Sequence, residues 1–203
     1  MTLRLIDTSI PDVLLIEPNV YNDSRGFFFE TFHHRKYADV GINEMFVQDN
    51  YSHSKQGIVR GLHYQLLHPQ GKLIFVISGE IFDVAVDIRR GSPTFGQWFG
   101  TILSAENKRQ IYVPEGFAHG FCVLSESADI MYKCTDFYNA EDEYGIFWSD
   151  ETIAINWSVK TPVLSDKDKR FQRLTETPVK DLPIYGGADG TRTRNFRRDR
   201  PVL

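Results

Sequence analysis

Short apolar runs recur along the chain with Gly, Pro, Asn or Asp between them, at positions 13–16, 27–31, 46–51, 58–65, 73–78, 81–88, 98–103, 110–113, 119–124 and 130–138. This rhythm predicts strands joined by turns, and hence an all-β sandwich or barrel. The clearest alternation runs through 81–88, where Phe82, Val84, Val86 and Ile88 take one face and Asp83 and Asp87 the other. A helical pattern is confined to the neighbourhood of Tyr37 and to 166–174, where Ser165 reads as an N-cap. Gly71, Gly79, Gly91, Gly96, Gly100 and Gly116 fall at or near the ends of predicted strands, which favours closure into a double-sheet jelly roll.

Composition narrows the class. A length of 203 residues suits one domain, and 41% hydrophobic with 13% aromatic residues supplies a packed interior. No apolar run approaches the roughly 20 residues needed to cross a bilayer, so a membrane is not an expected partner. Arg4, Asp7, Asp12 and Glu17 interrupt the N-terminal stretch, where a signal peptide would need a continuous apolar block. Cys122 and Cys134 each lie inside an apolar strand-like run, which suits reduced thiols and a cytoplasmic protein better than a disulfide framework. The net charge of −4 gives no general attraction to nucleic acid, so an anionic ligand has to be met by a local group of Arg and Lys. From Gly186 the chain turns Gly-rich and then basic, with Arg192, Arg194, Arg197, Arg198 and Arg200. The expected organisation is one domain over 1–185 and a disordered basic tail over 186–203 that takes no part in function.

Reactive side chains cluster within this pattern. The run Arg60-Gly61-Leu62-His63-Tyr64-Gln65 sets a guanidinium and an imidazole three residues apart on a predicted strand. Strict alternation sends them to opposite faces, but Gly61 permits a bulge or sharp twist that turns both toward one cavity. Taken alone, His63 reads as a core histidine satisfied by a backbone carbonyl; its neighbours favour chemistry. The turn Pro114-Glu115-Gly116-Phe117-Ala118-His119-Gly120 delivers a second histidine to a strand start and matches the second of the two motifs that mark cupin jelly rolls. Metal-binding cupins carry His-x-His in the first motif, whereas the position two after His63 is Gln65. The ligand set is thereby broken, and His63, His119 and His68 lack a familiar metal spacing, so no metal is expected. Along 130–138, period-two geometry puts Tyr132 and Tyr138 on one face about 20 Å apart at roughly 3.3 Å per residue. That places one deep and the other near the mouth, although packed tyrosines share the pattern.

With Asp23-Ser24-Arg25-Gly26-Phe27-Phe28-Phe29-Glu30, Phe46-Val47-Gln48-Asp49-Asn50, Gly71-Lys72-Leu73 and Phe82-Asp83-Val84-Ala85-Val86-Asp87, these stretches resemble the dTDP-4-dehydrorhamnose 3,5-epimerases over 10–174. The resemblance implies a cupin-like double-stranded β-helix acting on a dTDP-sugar without a cofactor. It implies His63 as base, paired with Asp168, with Tyr132 as acid on the opposite face of the sugar and Lys72 at the ketone oxygen. It further implies Arg25, Gln48, Asn50, Arg60 and Lys167 as holders of the nucleotide and diphosphate, with Glu30 at the thymine edge and Tyr138 at its face. His119 and Glu143 would complete the sugar pocket. A homodimer is implied too, in which the stretch near Arg25 and Glu30 reaches the neighbour's site. Two features depart from the family pattern: the arginine-rich tail, and Asp166, whose charge stands beside the phosphate contact at Lys167.

The residue types suit the reaction. A proton beside a ketone is weakly acidic, and its removal becomes feasible when the enolate oxygen meets a preorganised cation in a dry site. An imidazole titrating near 6.5 is a fitting base, and a carboxylate behind it fixes its tautomer. Inversion returns the proton to the other face, so a second donor has to stand across the ring. Competing readings are a relative that inverts C3 alone, a metal-dependent cupin, and a catalytically silent sugar-nucleotide binding module. The last has no use for an acid and a base on opposed sides.

Overall fold

The computed structural model describes residues 3–186, so the basic segment beyond Gly186 lies outside the described residues. Two antiparallel sheets carry the fold. The first runs in the order β1 (Arg4–Ile6), β2 (Leu14–Glu17), β10 (Gln110–Val113), β7 (Lys72–Ser78), β12 (Ser127–Cys134) and β5 (Gln48–Lys55). The second runs β13 (Glu143–Gly145), β6 (Val59–Gln65), β11 (Phe117–Val123), β8 (Glu80–Asp87) and β9 (Trp98–Ser104). Separate from both, β3 (Tyr21–Asp23) and β4 (Gly26–Phe28) form a hairpin, followed by the short helix α1 (His34–Asp39). The two sheets close on each other as a jelly roll.

Alternation decides what lies between them. Ile74 and Val76 of β7, Ala128 and Ile130 of β12, Ile81 and Ala85 of β8, and Phe117, Phe121 and Val123 of β11 share one buried cluster between the sheets. The apolar face predicted on β8 lies on the other side. Val84 and Val86, with Ile88 just beyond the strand, pack against Ile153, Trp157, Leu174 and Leu182 of the chain after β13. Burying each such aliphatic side chain contributes about 2 kcal/mol. This anchoring fastens the segment that carries Asp168 across the back of the sheet.

Predicted boundaries moved where local chemistry overrode pattern. The run 130–138 leaves the sheet after Cys134, because Thr135 N–H turns to the Gly71 carbonyl at 3.0 Å and Phe137 N–H to the Asp136 carboxylate at 2.7 Å. Tyr132 and Tyr138 therefore do not stand at two ends of one extended strand. The helix expected over 166–174 is a single 3-10 turn, Asp168–Arg170. Ser165 Oγ accepts Asp168 N–H at 3.1 Å, but Phe171 is already extended at ψ 149° and cannot continue a helix. Strand β1 and strand β13 have too little alternation of their own to be predicted; pairing with β2 and β6 supplies them.

Candidate active site

One position on β6 organises the site. Between β6 and β11 the partners are His63 with His119 but Arg60 with Phe121, so three steps on β6 match two on β11. The extra residue is a bulge at Gly61. Gly61 holds φ +128°, and a Cβ there would stand 2.5 Å from Gly120 Cα and 2.8 Å from the His119 carbonyl oxygen. Only glycine fits. Val59, Leu62 and Tyr64 consequently share the outer cluster, and the bulge lets Arg60 and His63 line one depression together.

The inward rows change character along each strand. Lys72 precedes Ile74 and Val76 on β7, and Tyr132 follows Ala128 and Ile130 on β12, so the polar residues gather at one end of the barrel. Here Gln48, Asn50, His63, Gln65, Lys72, Tyr132, Tyr138 and Glu143, with Tyr64 and Gln70, line a cavity of about 270 Å³. A second depression of about 440 Å³ adjoins it, lined by Arg60, Val163, Leu164, Ser165, Lys167 and Asp168 among others. His63 belongs to both.

His63 Nε2 lies 2.7 Å from Asp168 Oδ1. Burial pushes the Asp168 carboxyl up, but the hydrogen bond and charge of His63, with Ser165 and Lys167, outweigh it and hold the group below its ordinary value. An ionised Asp168 only accepts, so Nε2 is the donor of the pair, and in the neutral imidazole Nδ1 keeps the lone pair. Phe171 packs edge-on against the imidazole at 5.7 Å. Burial drives the Lys72 ammonium below the ordinary lysine value, against the charges of Cys134, Glu143 and Asp83. Its Nζ makes no hydrogen bond or ion pair among the described residues. Burial, Cys134 and Glu143 lift the Tyr132 phenol above its ordinary value while Arg60 pulls the other way, so the hydroxyl keeps its proton at neutral pH.

Glu143 ties the mouth together. Its Oε1 takes Lys167 Nζ at 2.6 Å and its Oε2 takes the Tyr138 hydroxyl at 2.8 Å. Burial raises this carboxyl, and the bonds from Lys167 and Tyr138 with the charge of His63 bring it below the ordinary value. Gln48 Nε2 donates to Asn50 at 2.9 Å, and Arg60 Nε to Ser54 Oγ at 3.1 Å. Asp166 gives its carboxylate to Lys169 at 3.1 Å, which leaves Lys167 to Glu143.

Other expected site residues lie elsewhere. His119 is buried on β11 with Nε2 at 2.9 Å from Asp83, and it lines neither cavity. Arg25 sits on the β3–β4 hairpin, bound to Asp23 at 2.5 Å, and Glu30 follows the hairpin in an ion pair with Lys36. Neither borders the His63 cavity; Arg25 lines a separate concavity of about 500 Å³ with Tyr21, Phe27 and Phe28. Sequence reasoning missed Gln70, Tyr64 and the His119 partner Asp83. A carboxylate alternating into a buried strand face was the signal for Asp83. No group of three or more His, Cys, Asp and Glu side chains among the described residues is arranged to hold a metal ion.

Fold and site together put the molecule among the cupin-type isomerases. The family model for dTDP-4-dehydrorhamnose 3,5-epimerase matches residues 7–176. The dTDP-4-dehydrorhamnose 3,5-epimerase of Shigella flexneri is 55% identical over 176 residues, covering 86% of this chain and 97% of the relative. The enzyme of that name from Pseudomonas aeruginosa is 56% identical over 170 residues, covering 83% and 94%. Among solved structures, the dTDP-6-deoxy-D-glucose-3,5-epimerase of Legionella pneumophila in complex with dTDP-4-keto-L-rhamnose superposes with a TM-score of 0.89 at 51% identity, covering 91% of this chain and 100% of that one. This chain belongs to the dTDP-4-dehydrorhamnose 3,5-epimerase family.

Proposed function

We propose that this protein epimerises dTDP-4-dehydro-6-deoxy-D-glucose at C3 and C5, giving dTDP-4-dehydro-L-rhamnose for dTDP-rhamnose biosynthesis in the cytoplasm. The observation that carries the reading is the Asp168-backed imidazole of His63 in a cavity shared with Lys72 and Tyr132. His63 Nδ1 takes the proton from the carbon beside the C4 ketone, and the electron pair moves onto the ketone oxygen as an enolate. Lys72, unengaged by other side chains, meets that oxygen. Tyr132 then returns a proton to the opposite face, which inverts the centre. Both C3 and C5 flank the ketone, so one set of groups serves both once His63 has released its proton to solvent and Tyr132 has regained one, and no redox cofactor is consumed.

Arg60 and Lys167, with Gln48 and Asn50, hold the diphosphate and nucleotide, and Tyr138 faces the thymine. Glu143 closes the sugar pocket, and His119, the cross-strand neighbour of His63, backs that pocket without lining it. The protein works as a homodimer, with Arg25 and Glu30 of one hairpin region completing the neighbour's nucleotide site; exposed Phe27 and Phe28 support an apolar contact there. Incubation with dTDP-4-dehydro-6-deoxyglucose in heavy water tests the reading. Deuterium is expected at C3 and C5 of inverted product, and entry at C3 alone would replace it with a 3-epimerase.

A further inference from the structure

Gln65 lies on β6 two residues past His63, 6% exposed, with both ends of its amide engaged. Its Oε1 accepts Asn139 N–H at 2.8 Å, while its Nε2 donates to the Phe137 carbonyl at 3.2 Å and the His68 carbonyl at 2.6 Å. Phe137 and Asn139 flank Tyr138, so a single amide grips the backbone on both sides of that ring. Gln48 adds to the hold by accepting Tyr138 N–H at 2.9 Å. The bond to His68 carries the grip to the chain leaving β6. There the backbone amides of Leu66, Leu67 and His68 all donate to the buried Asp142 carboxylate, at 2.7 to 3.2 Å. Carbonyls are taken by Gln65 and amides by Asp142, and the two lace the loop after β6 to the segment bearing Tyr138 and Glu143.

We propose that Gln65 is a positioning residue for nucleotide recognition, holding Tyr138 at the cavity mouth from the sequence position where metal-binding cupins place a ligand. The inference rests on the reading of Tyr138 as the ring that faces the thymine. Tyr138 is 52% exposed, and among the described residues its hydroxyl is hydrogen-bonded by Glu143 alone. A stacking ring adds most to affinity when its backbone is fixed before the ligand arrives, since ordering a loose segment on binding offsets the gain. The amide, rather than a carboxylate, is what the geometry requires. Two carbonyl oxygens need a donor and one N–H needs an acceptor, and a glutamate at this position confronts both carbonyls with negative charge.

The test uses dTDP as the probe, with affinity measured by calorimetry on the full chain for wild type, Gln65→Glu, Tyr138→Ala and the double variant. Gln65→Met, which removes the bonds without adding charge, goes through the same comparison in case Gln65→Glu does not fold. Each single substitution is expected to weaken dTDP about tenfold, and the double variant to bind within about twofold of Tyr138→Ala. Unchanged dTDP affinity in folded Gln65→Glu and Gln65→Met, or losses that multiply in full in the double variant, overturns the proposal. So does a fall in kcat at unchanged dTDP affinity, which would put Gln65 in the chemistry instead. If Tyr138→Ala alone keeps wild-type affinity, the reading of Tyr138 fails, and the proposal falls with it for that separate and visible reason.

Discussion

The His63 imidazole and the Asp168 carboxylate meet at 2.7 Å although 105 positions separate them in the chain. One comes from the bulged strand β6 and the other from a turn that the apolar anchors Leu174 and Leu182 hold across the back of the same sheet. His63→Ala is expected to lower deuterium exchange at both carbons about 10³-fold, within the range usual for loss of a general base. Binding of dTDP should survive, because it draws on the diphosphate and thymine contacts. Asp168→Asn spoils orientation without deleting the base, and about a 10²-fold loss is expected. A larger loss in Asp168→Asn than in His63→Ala would make Asp168 the proton acceptor.

Gly61 and Gly26 share a positive φ, +128° and +127°, but not their surroundings. A Cβ at Gly26 meets nothing within 4 Å, whereas at Gly61 it meets the Gly120 backbone at 2.5 Å. Gly26→Ala therefore isolates the backbone penalty, about 1 kcal/mol, and Gly61→Ala adds a steric one, for ~3 kcal/mol or more in total. Urea unfolding of the two variants measures the difference. Equal losses would mean that β6 and β11 relax apart freely.

Glu115 gives stability a dependence on pH. Burial lifts its carboxyl from 4.5 to about 7, helped by the charges of Glu44 and Asp136, while the Thr135 hydroxyl pulls it down. Between those values the folded protein keeps a proton that the unfolded chain has released. The associated stability is complete below pH 4.5 and is lost as pH rises through about 7. Glu115→Gln stays neutral and escapes the loss. Relative to wild type, the variant is expected to gain on the order of 3 kcal/mol at most between acid and neutral pH. Urea unfolding across that range checks it, and parallel pH curves for the two proteins would refute it.

The sequence carried much of the frame because period-two patterns report burial directly. The 81–88 alternation holds, with Phe82, Val84, Val86 and Ile88 together on the outer face under the C-terminal segment. The Gly61 bulge was foreseeable as a possibility, since alternation alone would have parted Arg60 from His63. Asp168 was out of reach of any local pattern. Its approach to His63 depends on tertiary anchoring, and family resemblance alone pointed to it. The supposed span between Tyr132 and Tyr138 failed because Thr135, Asp136 and Gln65 bend the chain out of the sheet, through hydrogen bonds that no periodicity encodes. Arg25 lies on the β3–β4 hairpin and Glu30 just after it, and neither borders the His63 cavity.

Tyr132→Phe is expected to separate exchange from inversion. The ring packs against the core between the sheets, beside Ile130 and Ile74, and phenylalanine preserves that packing. His63 and Lys72 remain, so the enolate still forms and deuterium still enters from the base side. The proton donor on the far face is gone, so inverted product should fall about 10²-fold or more while exchange stays within about tenfold of wild type. Mass spectrometry follows the deuterium, and coupling to a reductase specific for the epimerised ketosugar follows configuration. Inverted product at the wild-type rate would hand the acid role to another group or a water. Loss of exchange and inversion alike, in a variant that melts like wild type, would mean that the Tyr132 hydroxyl helps to form the enolate, and that acid and base do not divide the work between the two faces.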